Sequence, residues 1–415
     1  MSKEPVTQIK KCRVCKKEKF IKAFNFGPTP LANEFLTKEK INREESFFPL
    51  DVYLCSNCSF LQLGHVVDPK ILFDNYVYVS STSPVFIQHF KDFAESVYKD
   101  FSLGKNSFVI DLGSNDGILL KPFKKLGVKI LGIEPAKHIA KVAKKENIPT
   151  VTEYFSVKLA KQILKKNGKA NVVTACNVFA HIDNLDEVIE GLKVLLDKDG
   201  IFIMEAPYLV DFFEKKYFDL VYHEHLSYWT VNSLIKLFNR FDMEVFDVVK
   251  MPVHGGTIRT FVKKKEGSHK RNKRVDEFLK LEQSKKLTET STYLTFQREI
   301  EENKVKLLKL LSSIKKSKKT IAGYGAPAKG NTLLNYFGIG TELLDYIVDD
   351  SPWKQGLYTP GKRIPVVSSK CLYKNPPDFL LILAWNFAAP IMKTHEKYKR
   401  QGGKFIIPVP SPKII

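Results

Sequence analysis

Apolar residues change their period along the chain, and the changes divide it into stretches. In residues 1–65 no helical period is sustained. Leu50 to Leu54 alternates like a strand. Phe26-Gly27-Pro28-Thr29-Pro30-Leu31 excludes regular helix, because its two prolines would break one. Residues 66–105 predict helix, with Phe86, Phe90, Phe93 and Val97 recurring at helical spacing. An irregular aromatic stretch from Phe73 to Tyr78 precedes them. From residue 107 apolar runs alternate with helical stretches. The runs are 108–113, 129–134, 171–179 and 200–207. Such alternation predicts a parallel, doubly wound sheet. Residues 275–318 predict a long amphipathic helical region, its apolar side carried by Phe278, Leu281, Leu294, Ile300, Leu307, Leu311 and Ile314. A second series of strand-like runs follows at 319–326, 343–350, 379–385 and 404–410. The pattern reads as two α/β units in tandem, without a sequence repeat, behind a small N-terminal module.

Composition agrees with a folded chain. Of 415 residues, 44% are apolar and 27% charged, which excludes wholesale disorder. No run of about 18 apolar residues occurs, so neither a membrane span nor a membrane partner is expected. The N-terminal residues lack an apolar core after their charges, so a secretory signal is not expected and the protein reads as cytoplasmic. The net charge of +21 favours anionic partners such as nucleic acid, membrane surfaces or phosphorylated metabolites. The densest basic cluster, Lys263 to Arg274, includes Gly267 and Ser268 and reads as a linker, so nucleic acid is not expected. Most of the excess charge reads as solvated lysine.

Candidate chemistry falls in three places. Cys12-x-x-Cys15 and Cys55-x-x-Cys58 form two knuckles that can complete a tetrahedral thiolate site. Four protein ligands leave no open position, so a structural zinc is expected. Cys176 and Cys371 read as small buried apolar residues. Asp111-Leu112-Gly113-Ser114-Asn115-Asp116-Gly117 follows a predicted strand and opens a helix. Its glycines let backbone approach a ligand, and Glu134, about 20 residues on, suits the ribose hydroxyls of a nucleoside. The Gly-x-x-x-Gly spacing matches the loop of class I S-adenosylmethionine-dependent methyltransferases. Tyr222-His223-Glu224-His225 is the densest polar cluster, with His181 and the stretch His254 to Arg259 as further candidates. Histidine titrates near neutrality and suits proton removal beside a methyl donor. A metal on His223 and His225 would require a strand there. Gly323 to Gly330 sits between a strand and a helix and suits an anion, with Lys329 adding a charge.

Taken together, these motifs resemble the sugar C-methyltransferases that act on nucleotide-linked 4-keto sugars. The resemblance runs through the four cysteines, residues 27–36 (GPTPLANEFL), the loop 111–117, residues 222–229 (YHEHLSYW), 323–335 and 348–356. It implies an α/β chain: a zinc-binding module over 1–70, a class I, Rossmann-like methyltransferase domain over 71–262, and a helical linker with a second Rossmann-like domain over 263–415. It further implies S-adenosylmethionine bound by Asp111, Gly113, Asn115, Gly117, Glu134 and Asn177. His225 is expected as general base, accompanied by Glu224, Tyr222, His181 and Tyr76. His254, Arg259, Gly325 and Lys329 are expected to hold the substrate, a nucleotide-linked keto sugar of the dTDP type methylated at carbon 3. A monomer is expected. An O- or N-methyltransferase on the same scaffold, and a zinc-containing nucleic-acid-binding protein, are the rival readings.

Overall fold

The computed structural model describes residues 5–73, 81 and 84–415. Two open sheets dominate it. The central sheet has seven strands in the spatial order Met243–Met251, Thr257–Lys264, Leu196–Pro207, Ala170–Cys176, Phe108–Leu112, Lys129–Ile133 and Thr150–Val151. The last five are mutually parallel, whereas Thr257–Lys264 runs antiparallel to both of its neighbours. The second sheet orders Val366–Ser368, Tyr346–Asp349, Ile321–Tyr324, Phe379–Ile382, Lys404–Ile407 and Lys413–Ile414, with only the last strand reversed. Both sheets therefore wind outward from their first strand in the same way. In each, a switch point lies between the first strand and the fourth, where open α/β sheets bind ligands. The first strands, 108–112 and 321–324, are buried at every residue, as expected for strands covered on both faces.

The N-terminal module is a four-stranded antiparallel sheet. Phe20–Thr29, Phe48–Cys55 and Leu61–Leu63 pair in turn, and Ser227–Tyr228 of the central unit adds the outer strand. Pro28 lies inside Phe20–Thr29, an edge strand whose register shifts between Asn25 and Pro28. The prolines exclude helix, as expected, but one of them is accommodated in a strand.

Several expectations change. Residues 66–105 open on the end of strand His65–Val67, and the expected helices follow at Pro69–Phe73 and Pro84–Asp100. Lys263 and Lys264 belong to a strand, where Lys263 is buried against Glu244 at 3.0 Å, so the linker is shorter than its charge suggested. Cys176 and Cys371 are half-buried rather than buried. The helical region 275–318 is as expected and forms two helices, Arg274–Ser284 and Thr290–Lys316, but Leu294, expected on the apolar side, is exposed. Among the described residues no helix is long and apolar enough to cross a membrane.

Candidate active site

The cofactor loop is shaped by its backbone. Gly113, Asn115 and Gly117 all have positive φ (63°, 49° and 80°), a region most side chains avoid. A Cβ on Gly113 would lie 2.4 Å from Val178. Glu134, at the end of the neighbouring strand, accepts the amides of Asn115 (3.0 Å) and Ala136 (2.8 Å). A carboxylate has about four acceptor positions, so capacity remains for ribose hydroxyls. Burial raises the Glu134 pKa, and the two amides oppose that. Asp111 lies beneath the loop and takes the Thr174 hydroxyl at 2.6 Å; burial pushes it up to about 7. Asn177 caps the fourth strand with φ 57°, its amide donated to the Glu205 carbonyl. A nucleoside fits this cradle of positive-φ loop and acidic strand end.

The histidine cluster sits in a turn between Phe218–Leu220 and strand Ser227–Tyr228. His225 Nδ1 lies 2.7 Å from the Leu220 carbonyl, which can only accept. Nδ1 therefore carries the hydrogen, and Nε2 presents a lone pair. Tyr222 Oη sits 2.8 Å from Nε2 and donates to it. The His181 ring stands 5.1 Å from that of His225. His225 also lines a small apolar cavity with Ala180, Leu220, Phe212 and Tyr228. Exclusion of water there pulls the His225 pKa down to about 4 against the Leu220 bond, and that of His181 to about 3. Both are neutral at pH 7. Glu224 takes the Asn33 side-chain amide at 2.6 Å, and burial lifts it to about 7. His223 bonds the Phe48 carbonyl at 3.1 Å and faces the N-terminal module. His223 and His225 thus engage separate carbonyls, and the segment is a turn, so the metal reading does not fit. Tyr76 lies outside the described residues, as does the side chain of His254.

The four cysteine sulfurs lie within 4.8 Å of one another, with Cys12–Cys58 at 3.6 Å and Cys15–Cys55 at 3.5 Å. A tetrahedral zinc with bonds of about 2.3 Å puts its sulfurs about 3.8 Å apart, so the four fit the metal. Among the described residues this is the only His, Cys, Asp or Glu group arranged for a metal. The knuckle residue Arg13 is buried and donates to the carbonyls of Leu63 (2.8 Å) and Leu226 (3.4 Å). The cluster is thereby tied to the residue that follows His225.

Two expected substrate residues are engaged within the protein. Arg259 is buried, pairs with Glu205 at 2.7 Å and packs 3.9 Å from the centre of the Phe93 ring. Glu205 also holds His89 at 2.8 Å. Lys329 is buried against Trp385 and bonded to the Asn386 side chain. Gly325 opens the second glycine loop with φ 82° and donates to the Val348 carbonyl. Asn33, Asp219, Glu205 and Trp385 were not singled out from the sequence. Asn33 lies within the segment 27–36 that carries the resemblance, which was its only signal.

Three family profiles match in chain order: a zinc binding domain over residues 12–73, a methyltransferase domain over 87–248, and a C-methyltransferase C-terminal domain over 252–410. The chain is 36% identical over 410 residues to C-methyltransferase NovU of Streptomyces niveus, covering 99% of this chain and 98% of that one. It is 27% identical over 125 residues to a ubiquinone biosynthesis O-methyltransferase of Pelagibacter ubique (strain HTCC1062), covering 29% and 51%. A crystal structure of magnesium protoporphyrin IX methyltransferase from Synechocystis PCC 6803 with bound SAH aligns at 16% identity and a TM-score of 0.35, over 47% of this chain and 91% of that one. S-adenosylmethionine is accordingly the cofactor of the central unit and zinc the metal of the cysteine cluster. With a near-full-length relative at this identity and three profiles in order, the chain belongs to the S-adenosylmethionine-dependent C-methyltransferases.

Proposed function

We propose that the protein methylates carbon 3 of a nucleotide-linked 4-keto-deoxysugar of the dTDP type, with His225 as general base. The observation that carries this reading is the His225 tautomer: Nδ1 is committed to the Leu220 carbonyl, which leaves Nε2 as the acceptor, its lone pair held by the Tyr222 hydroxyl until that donor turns to the substrate oxygen. Carbon becomes nucleophilic only after losing a proton, and a carbonyl on the adjacent carbon makes that proton acidic. His225 Nε2 removes it, and the electron pair moves onto the ketone oxygen as an enolate. Tyr222 or His181 then donates a hydrogen bond to that oxygen, a contribution of about 3 kcal/mol in a dry site. Glu224, held by Asn33, orients the sugar beside the base. Bound S-adenosylmethionine supplies the electrophilic methyl group. The second glycine loop, at Gly325, opens helix Ala328–Phe337, whose N-terminus suits the diphosphate. Arg259, paired with Glu205, shapes the site from behind, whereas Lys329, bonded to the neutral Asn386 side chain, keeps its positive charge near that helix start.

The test is incubation of candidate nucleotide 4-keto-6-deoxy sugars with enzyme and S-adenosylmethionine in D₂O, followed by mass spectrometry. Wild type should give a product with a carbon-bound methyl. His225→Gln should lose the rate by on the order of 10²–10⁴-fold while still binding cofactor. Methyl on oxygen or nitrogen, or an undiminished mutant, would defeat the reading.

A further inference from the structure

The short turn Phe218–Leu220 lies between the second α/β unit and His225, and each of its residues is held. Phe218 stacks on Phe337 of helix Ala328–Phe337, with ring centres 5.0 Å apart and planes at 14°. Asp219 is fully buried and accepts the indole N–H of Trp385 at 2.6 Å. Trp385 in turn stacks on Tyr217 at 4.6 Å. The Lys329 ammonium lies over both of these rings, 4.8 Å and 6.0 Å from their centres, and bonds Asn386. Leu220 completes the turn and gives its carbonyl to His225 Nδ1.

We infer that Asp219, Trp385 and Lys329 are positioning residues through which the second α/β unit fixes the tautomer of the His225 base. The inference rests on the reading of His225 as base. Its physical content is simple. The Leu220 carbonyl belongs to the residue directly after Asp219. If Asp219 loses its anchors, the turn can rotate and the carbonyl no longer faces Nδ1. His225 is then free to carry its hydrogen on Nε2, where it cannot accept a proton from carbon. Burial lifts Asp219 to about 6 with Lys329 opposing, and pulls Lys329 down to about 8 with Asp219 opposing. Each thus favours the charged form of the other in a dry environment. A buried charge that loses its counter-charge is costly, so removing either group weakens the anchoring of the turn.

Three variants of the full-length zinc-loaded enzyme test this: Trp385→Phe, Asp219→Asn and Lys329→Met. Deuterium exchange into the sugar, methyl transfer, sugar-nucleotide KM and SAH affinity are measured for each. Nitrogen NMR of histidine-labelled protein reads the His225 tautomer directly. The expected result is that kcat and the exchange rate fall together about tenfold or more. KM and SAH affinity should stay within about twofold, and the His225 nitrogen signals should shift toward the other tautomer. Retained SAH affinity also shows that a variant is folded. Trp385→Phe preserves the aromatic stack and decides the matter if either charge variant unfolds. Unchanged exchange and tautomer would overturn the inference. So would a raised KM at constant kcat confined to Lys329→Met, which would make Lys329 a substrate ligand instead. His225→Gln run alongside separates the two levels: if it retains exchange, the proposed base is wrong; if it loses exchange while the three variants keep it, only the positioning role falls.

Discussion

His225 and its neighbours show how one side chain's chemistry is set by atoms it touches rather than by its own type. A free imidazole has a pKa of about 6.5, and the cleft lowers that of His225 to about 4 because burial penalises the cation. The base works neutral, so its own contribution is full above the folded pKa and is lost as pH drops through it. We therefore expect the His225 ring nitrogens, followed by NMR, to hold one protonation state through pH 6.5 and to change only toward about pH 4. A His225 titration near 6.5 would show an ordinary, solvated histidine, whereas a break in kcat/KM near 7 belongs to Glu224, which burial lifts to about 7. The cofactor loop gives a second residue-level expectation. Gly113 has φ 63° and no room for a methyl group beside Val178. Gly113→Ala costs about 1–2 kcal/mol in backbone conformation before any clash. Titration calorimetry should show SAH affinity reduced about tenfold or more. The glycine's role was legible from local spacing. The Asn33–Glu224 bond was not, because its partners are 191 positions apart.

At the scale of elements, the zinc module is wired into the active-site segment. Strand Ser227–Tyr228 pairs with Leu61–Leu63, and the Leu63 amide donates to the Leu226 carbonyl at 3.0 Å. Lys236 and Arg240 of helix Val231–Asn239 and its C-cap donate to the Cys58 and Val14 carbonyls beside the metal ligands. Structural zinc contributes directly to folding free energy. Cys12→Ser or prolonged chelation should therefore lower the thermal midpoint and kcat together, although the metal touches no substrate. Zinc content, melting temperature and turnover measured on the same samples check this. Full activity in zinc-free protein would disprove the coupling. The paired knuckles were readable because each places two ligands within four residues. Their effect on His225 was not, since antiparallel pairing with a strand over 160 residues away leaves no local trace.

Across the whole molecule, one apolar core crosses the three regions that family profiles treat separately. Phe24 of the N-terminal sheet packs on Phe212 of the central unit and on Phe296 of the long helix, at 6.3 and 5.6 Å. Phe26 meets Tyr336 of the second α/β unit at 4.5 Å and Phe218 at 6.0 Å. Shared cores unfold together when the contacts between units rival those within them. Calorimetry should therefore show a single cooperative transition, moved upward as a whole by SAH. Two transitions, with SAH shifting only one, would mean that the units are energetically independent.

What the sequence determined by itself is everything governed by neighbours along the chain. Strand and helix periods, the two cysteine knuckles, and a glycine loop followed by an acidic strand end are all such features. They define three modules, the cofactor and the metal, because each depends on backbone geometry within a few dozen residues. The tertiary structure alone decided which nitrogen of His225 accepts a hydrogen bond and why. It also placed Arg259 and Lys329 in buried contacts, with Glu205 and with Trp385. These outcomes depend on burial and on contacts between distant segments. Burial changes the energy of a charge by kilocalories, and a linear reading of residue types contains no measure of it.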